Sequence, residues 1–143
     1  MADIAASVLA KLKNKAKASG ISYQQCLQLF FQEEFLRRLA GSRYAENFVL
    51  KGGLFIYTLT NFESRATVDV DFLMRGLNND LARMDEIIAE ILAVDTGNDF
   101  VRFEAKKTEP IAVQESTMAS APRSPAISRM SGFPSTWILV SAM

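Results

Sequence analysis

Apolar and polar positions along this chain change period several times, and each change marks an element. Over residues 3–18, Ile4, Val8, Leu9 and Leu12 recur at helical spacing, and Gly20 is the expected stop. "SYQQ" at 22–25 reads as a capping box, with Ser22 accepting from the backbone of Gln25. The helix it opens places Leu27, Phe30, Phe31, Phe35 and Leu39 on one face, an aromatic stripe that belongs in a core. Glu33, Glu34, Arg37 and Arg38 lie on the other side, spaced to pair at i,i+4, and Gly41 ends the helix. "NFVLKGG" (47–53) then predicts a short buried strand running into a glycine turn, followed by a helix over 54–61. In "ATVDVDFLM", Val68, Val70 and Phe72 alternate with Asp69 and Asp71, which is the period of a strand. "GLNNDLARMDEIIAEILA" predicts a third amphipathic helix capped by Asn78 or Asn79. Its apolar face holds Leu81, Met84, Ile87, Ile88, Ile91 and Leu92, and "DFVRFEAKK" (99–107) reads as a further strand. This order predicts an α+β fold, a small mixed sheet with helices packed on it.

Composition narrows the chemistry. The chain has 143 residues, enough for one domain with a real core. Sixteen basic and sixteen acidic residues give no net charge, so nucleic-acid contact needs a local patch; the candidate is lysines 11, 13, 15 and 17, whose plainer reading is a solvated helix end. There is no histidine, which removes histidine-based triads and HExxH zinc sites, and the single Cys26 reads as a core thiol. No apolar run approaches the roughly 18 residues of a membrane span. The start "MADIAASVLAKLKNK" does not resemble a signal peptide, so the expected compartment is the cytoplasm, with no membrane partner.

The chemistry concentrates between Leu50 and Met74. Alternate strand residues project from one face, so Asp69 and Asp71 sit about 6.6 Å apart along the backbone and can converge on a divalent cation. Such cations stabilise the attacking and leaving oxygens of an in-line phosphoryl displacement. Gly52 and Gly53 lack Cβ atoms, so their amides can approach a triphosphate at the start of the next helix, where the dipole favours anions. Each part has a plain alternative: a tight turn, a surface Lys51, a solvated strand face. The order strand, Gly-Gly, helix, strand, Asp-x-Asp is more specific than any part.

"FVLKGG" followed by "RATVDVDF" resembles the AbiEii/AbiGii-type toxins, a branch of the nucleotidyltransferase superfamily, and the resemblance covers roughly residues 1–115. It implies a nucleotidyltransferase-like fold and Mg²⁺- or Mn²⁺-dependent transfer of a nucleotide from an NTP to an acceptor, an RNA such as tRNA in some members. By resemblance Asp69 and Asp71 are the catalytic metal ligands. Gly52 and Gly53 are the nucleotide-binding glycines, and Lys51 and Arg65 lie near the phosphates. A cognate antitoxin is the implied protein partner. The gap from the glycines to Asp-x-Asp is longer than in many polymerase-like relatives, and Gly53 stands where serine is more widespread.

After Glu115 the composition changes. Residues 116–143 hold seven serines and three of the four prolines, with no Lys, Asp or Glu. Superfamily members take a third carboxylate from a later strand, and none follows Glu115. Read in the neighbouring frame, the codons of Met118–Ala119 give Gly and those of Trp137–Ile138 give Asp. "FPSTWILVSAM" then permits "PFNVDIGVGD", and "STMASA" permits "YHGVR", both like segments expected in this family. The expectation is therefore a nucleotidyltransferase-like part over 1–115 and an aberrant, disordered tail over 116–143. Two other readings compete with an active enzyme: a catalytically inactive fragment that at most binds NTP or antitoxin, and a small helical interaction domain whose Asp-x-Asp is only a solvated face.

Overall fold

A computed structural model describes residues 3–61, 69–77, 80–105, 109–110, 126–131 and 137–142. Four helices are present among them: α1 (Ile4–Ser19), α2 (Tyr23–Gly41), α3 (Gly52–Leu59) and α4 (Leu81–Leu92). Six strands accompany them: β1 (Phe48–Lys51), β2 (Val70–Met74), β3 (Glu104–Ala105), β4 (Glu109–Pro110), β5 (Ala126–Ser131) and β6 (Trp137–Ala142). The sheet runs β1-β2-β6-β5-β3, with β4 also on β5. Only β2 and β6 pair in parallel, so the sheet is mixed and the fold is α+β as expected.

The helix boundaries follow local chemistry. Asp3 caps α1 by accepting from the Ala6 amide at 3.1 Å, and Gly20 closes it in the left-handed region at φ 71°. Ser22 caps α2 by accepting from the Gln25 amide at 3.1 Å. The capping residue of α4 is Asp80, whose side chain makes no bond to the helix's first amides, rather than Asn78 or Asn79, which lie outside the described residues. Of the strand expected over 99–107, β3 covers Glu104–Ala105, residues 99–103 are not strand, and 106–107 lie outside the described residues. Val101 explains the loss: its amide donates to Asn98 O at 3.0 Å in a turn, and its carbonyl accepts from Arg38 Nη2 at 2.8 Å. Both of its backbone groups are engaged away from the sheet.

The core is where β2 meets α2, α3 and α4. Val70, Phe72 and Met74 of β2 are buried, as are Met84, Ile87, Ile88 and Ile91 of α4. Phe72 sits between Phe35 of α2, at 5.8 Å between ring centroids, and Phe48 of β1, at 5.7 Å and edge-on. Because side chains alternate along a strand, this burial fixes the opposite face of β2 as the one that carries the aspartates.

Of the tail expected over 116–143, the described residues are 126–131 and 137–142. They form β5 and β6, and β6 lies parallel to β2 with Ile138 opposite Val70. The "WILV" run is apolar with β-branched members, a composition suited to a strand beside a buried neighbour.

Candidate functional site

The local sequence builds the site from one turn and one strand. β1 and β2 run antiparallel in the register Leu50↔Phe72 and Lys51↔Asp71. The chain then passes directly from Lys51 into α3, whose capping position is Lys51 without a side-chain hydrogen bond. The first amides of α3 are therefore presented at the strand end, beside the Asp-x-Asp. Leu54 and Tyr57, both buried, hold α3 to the core and fix where its first turn lies.

Gly52 takes φ +70°, a backbone conformation that side chains disfavour. A Cβ placed on it would overlap the Asp71 carboxylate, meeting Cγ at 3.0 Å and Asp71 Cβ at 3.1 Å. The glycine is thus required twice, by its own dihedral and by the carboxylate packed over it. Sequence reasoning assigns Gly52 a role through its amide alone. Its role as the floor under Asp71 has no signal in the sequence, because it depends on the register of β1 against β2.

Asp69 immediately precedes β2 and Asp71 lies within it; both are half-buried. Burial raises the Asp69 carboxyl above the ordinary aspartate range, and the charge of Asp71 raises it further. Burial also raises Asp71, while the charge of Lys51, its cross-strand partner, pulls it back. The two carboxylates are therefore electrostatically coupled and partly desolvated, an arrangement that a cation relieves. Of the residues singled out in the sequence, the structure brings together Lys51, Gly52, Asp69 and Asp71, with Gly53 next along α3. Arg65 lies outside the described residues.

This donor set fits a divalent ion of the Mg²⁺ type, which is commonly held by one or two protein carboxylates with phosphate and water completing the shell. Among the described residues no cluster of three or more Cys, Asp or Glu side chains is placed to hold a metal. Among the described residues, Asp69 and Asp71 are the two carboxylates that would hold it. A cleft of about 550 Å³ lies elsewhere, between α1, α2 and α3, lined by Leu12, Cys26, Leu29, Leu36, Leu54 and Tyr57 among others. Neither aspartate reaches it. Cys26 is buried at its wall with Sγ donating to Leu12 O at 3.5 Å, as expected of a core thiol.

The packing of Gly52 gives a direct test. Gly52→Ala should cost about 1–3 kcal/mol, from left-handed strain plus displacement of Asp71. Gly97 has φ +78°, and a Cβ added there would meet nothing within 4 Å, so Gly97→Ala should show the strain alone and cost less. Adding Asp71→Ala to Gly52→Ala should recover part of the loss in urea unfolding. Equal costs for the two glycine substitutions, with no recovery, would show that Asp71 does not rest on Gly52.

The family described as nucleotidyl transferase AbiEii toxin, type IV toxin–antitoxin system, matches residues 34–128. The match takes in the glycine turn and the Asp-x-Asp and leaves out α1. No curated protein matches the chain.

Proposed function

This chain belongs to the nucleotidyl transferase AbiEii toxin family of type IV toxin–antitoxin systems, and from that membership we propose that Gly52, Gly53, Asp69 and Asp71 form a Mg²⁺-dependent site moving a nucleotide from an NTP to an RNA acceptor such as tRNA. The family itself implies an NTP substrate, a divalent metal and an antitoxin partner. Among the described residues no helix is long and apolar enough to cross a membrane. We place the activity in the cytoplasm, where NTP and tRNA are available.

The observation that carries the residue assignment is the stacking of the Asp71 carboxylate on the first residue of α3. One backbone turn thereby sets both the phosphate-facing amides and the metal-facing carboxylate. The early amides of α3 have no helical partner of their own and can donate to phosphate oxygens, with the helix dipole favouring the same charge. Lys51, opposite Asp71, adds a cation at the rim, and Arg65 follows α3 in sequence as a second one. Asp69 and Asp71 would hold the divalent ion, which supplies charge stabilisation on the phosphoryl oxygens when bound. In the transfer, the acceptor hydroxyl oxygen forms a bond to the α-phosphorus of the NTP, the bond to pyrophosphate breaks, and the hydroxyl proton is lost.

A second reading, an inactive fragment that still binds NTP or antitoxin, has its own observation. No Asp or Glu follows Glu115, and ionised aspartates committed to a cation are poor spare bases.

Metal linkage tests the site independently of turnover. Mg²⁺ or Mn²⁺ at about 100 times its Kd should stabilise the full chain by about 2.7 kcal/mol, a rise in Tm of several degrees. Asp69→Asn with Asp71→Asn should abolish the rise. An identical metal response in wild type and the double variant would remove both aspartates from the site.

A further inference from the structure

We propose that α1 is a docking helix for the phosphate backbone of RNA, which rests on the reading above for what the RNA is used for but not for how it is held. The helix carries Lys11, Lys13, Lys15 and Lys17, all exposed and none in an ion pair with a described residue. The paired cations elsewhere are arginines: Arg37 with Glu33, Arg38 with Glu34, Arg43 with Glu90 and Arg83 with Glu86. The lone acid of the helix region is its capping residue Asp3. Eight residues at about 1.5 Å each put Asp3 about 12 Å along the axis from Lys11, beyond the roughly 8–10 Å over which charges act at physiological salt. Among the described residues, α1 thus carries a run of four lysines with no acid of its own nearby.

The placement of the lysines suits a strand of phosphates. α1 packs on α2 through Ala16, with Val8 and Leu12 half-buried on the same side. At about 100° per residue, Lys11 falls on one flank of the opposite face and Lys13 and Lys17 on the other, while Lys15 lies nearer the packed side, next to Leu12. Between the two flanks runs a smooth exposed strip of Ser7, Ala10, Asn14 and Ala18. A polyanion can lie along this strip with ammonium groups on both sides. No large apolar side chain lies within the strip, while Ile4 and Leu9 elsewhere on α1 are 63% and 44% exposed; RNA is the occupant proposed because four ammonium groups along one helix suit a chain of phosphates. The strip has no aromatic ring to stack on a base, so the contact is to backbone and independent of sequence. Lys15 also lines the cleft whose other wall includes Leu54, Tyr57 and Thr58 of α3, the helix that begins at Gly52. The family match begins at residue 34, after α1.

The test is anisotropy of a labelled single-stranded RNA with the full chain over a salt series. Four single-strand phosphate contacts give a log–log slope of about 3, or roughly fifty-fold weaker binding between 50 and 200 mM salt. Changing Lys11, Lys13, Lys15 and Lys17 together to Gln should weaken binding at least tenfold and flatten the slope by about 3, whereas the four Arg replacements should retain both. Circular dichroism on each variant establishes that α1 is still folded. Mg²⁺ stabilisation through Asp69 and Asp71 should be unchanged in the Gln variant; its absence in every chain, with RNA binding intact, would defeat the catalytic reading and leave the docking helix standing. Equal RNA affinity and slope in wild type and the Gln variant would overturn the proposal. So would binding to vesicles rich in anionic lipid with no binding to RNA.

Discussion

Arg38→Met lowers the unfolding free energy by about 3–5 kcal/mol, the cost of leaving a buried charge without its partner. Arg38 and Glu34 are 8% and 2% exposed and bond Nε to Oε1 at 3.0 Å. Arg38 also donates from Nη1 to Leu92 O at 2.5 Å and from Nη2 to Val101 O at 2.8 Å, and its guanidinium lies 4.8 Å from the centre of the Phe103 ring. Glu34 in turn accepts from Thr96 and from Asn98 Nδ2. The pair clamps α2 to the end of α4 and to the chain leading into β3. Removing the guanidinium strands the Glu34 carboxylate together with two carbonyls. By contrast, Arg37 and Glu33 one position away are 57% and 64% exposed, so Arg37→Met should cost under about 1 kcal/mol. Urea unfolding of the two variants decides the point: similar costs would mean that the Arg38 network contributes nothing beyond a surface pair.

The same network sets an acid limit. Burial pushes the Glu34 carboxyl up, but hydrogen bonds from Thr96, Asn98 and Arg38, with the charge of Arg38, outweigh it and hold the group below the usual glutamate range. A folded value below the unfolded one stabilises the fold fully above the ordinary glutamate range near about pH 4.3. That contribution fades as pH falls through the lowered folded value. Without Arg38 the carboxyl rises, so the acid unfolding of Arg38→Met should begin at higher pH than that of wild type.

These two pairs show where the sequence stops being informative. Glu33–Arg37 and Glu34–Arg38 have the same spacing, and periodicity puts both on the outer side of α2. It does not separate them, because what buries Glu34 and Arg38 is the chain after α4, fifty to seventy residues away. That chain uses the carbonyl of Val101 to bind Arg38, which is also why residues 99–103 of the expected strand are not strand. In contrast, α1, α2, β1, β2 and α4 are legible because each has a local reason: a cap, a period or a terminating glycine. Of the site, the approach of Gly-Gly to Asp-x-Asp is legible as an order of motifs. The overlap of Asp71 with the Cα side of Gly52, and Lys51 lying across from Asp71, are matters of strand register, and register is written in pairing rather than in either strand alone.

Register also bears on the largest activity change we expect, from restoring the neighbouring frame after Glu115. Transfer needs a group to orient or deprotonate the acceptor hydroxyl, and general-base assistance contributes on the order of 10²–10⁴ in rate. Asp85 and Glu86 lie on α4 and Asp95 just after it. In the shifted frame an aspartate is encoded across codons 137 and 138. The backbone of β6 runs parallel to β2 with Ile138 opposite Val70 and Leu139 opposite Asp71. We propose that the restored strand pairs with β2 so that its aspartate, encoded across codons 137 and 138, falls next to the Asp-x-Asp, a placement that one residue of register decides. The family match closes at residue 128, before β6. The frame-restored protein should therefore incorporate labelled nucleotide into tRNA by a factor on the order of 10²–10⁴ faster than the 143-residue chain. Replacing its recovered aspartate by Asn should return the rate to the lower level while leaving the Mg²⁺ response of Asp69 and Asp71 in place. Equal labelling by the two chains at matched folded concentration would show that Asp69 and Asp71 suffice, and the chain as it stands would then be the active enzyme.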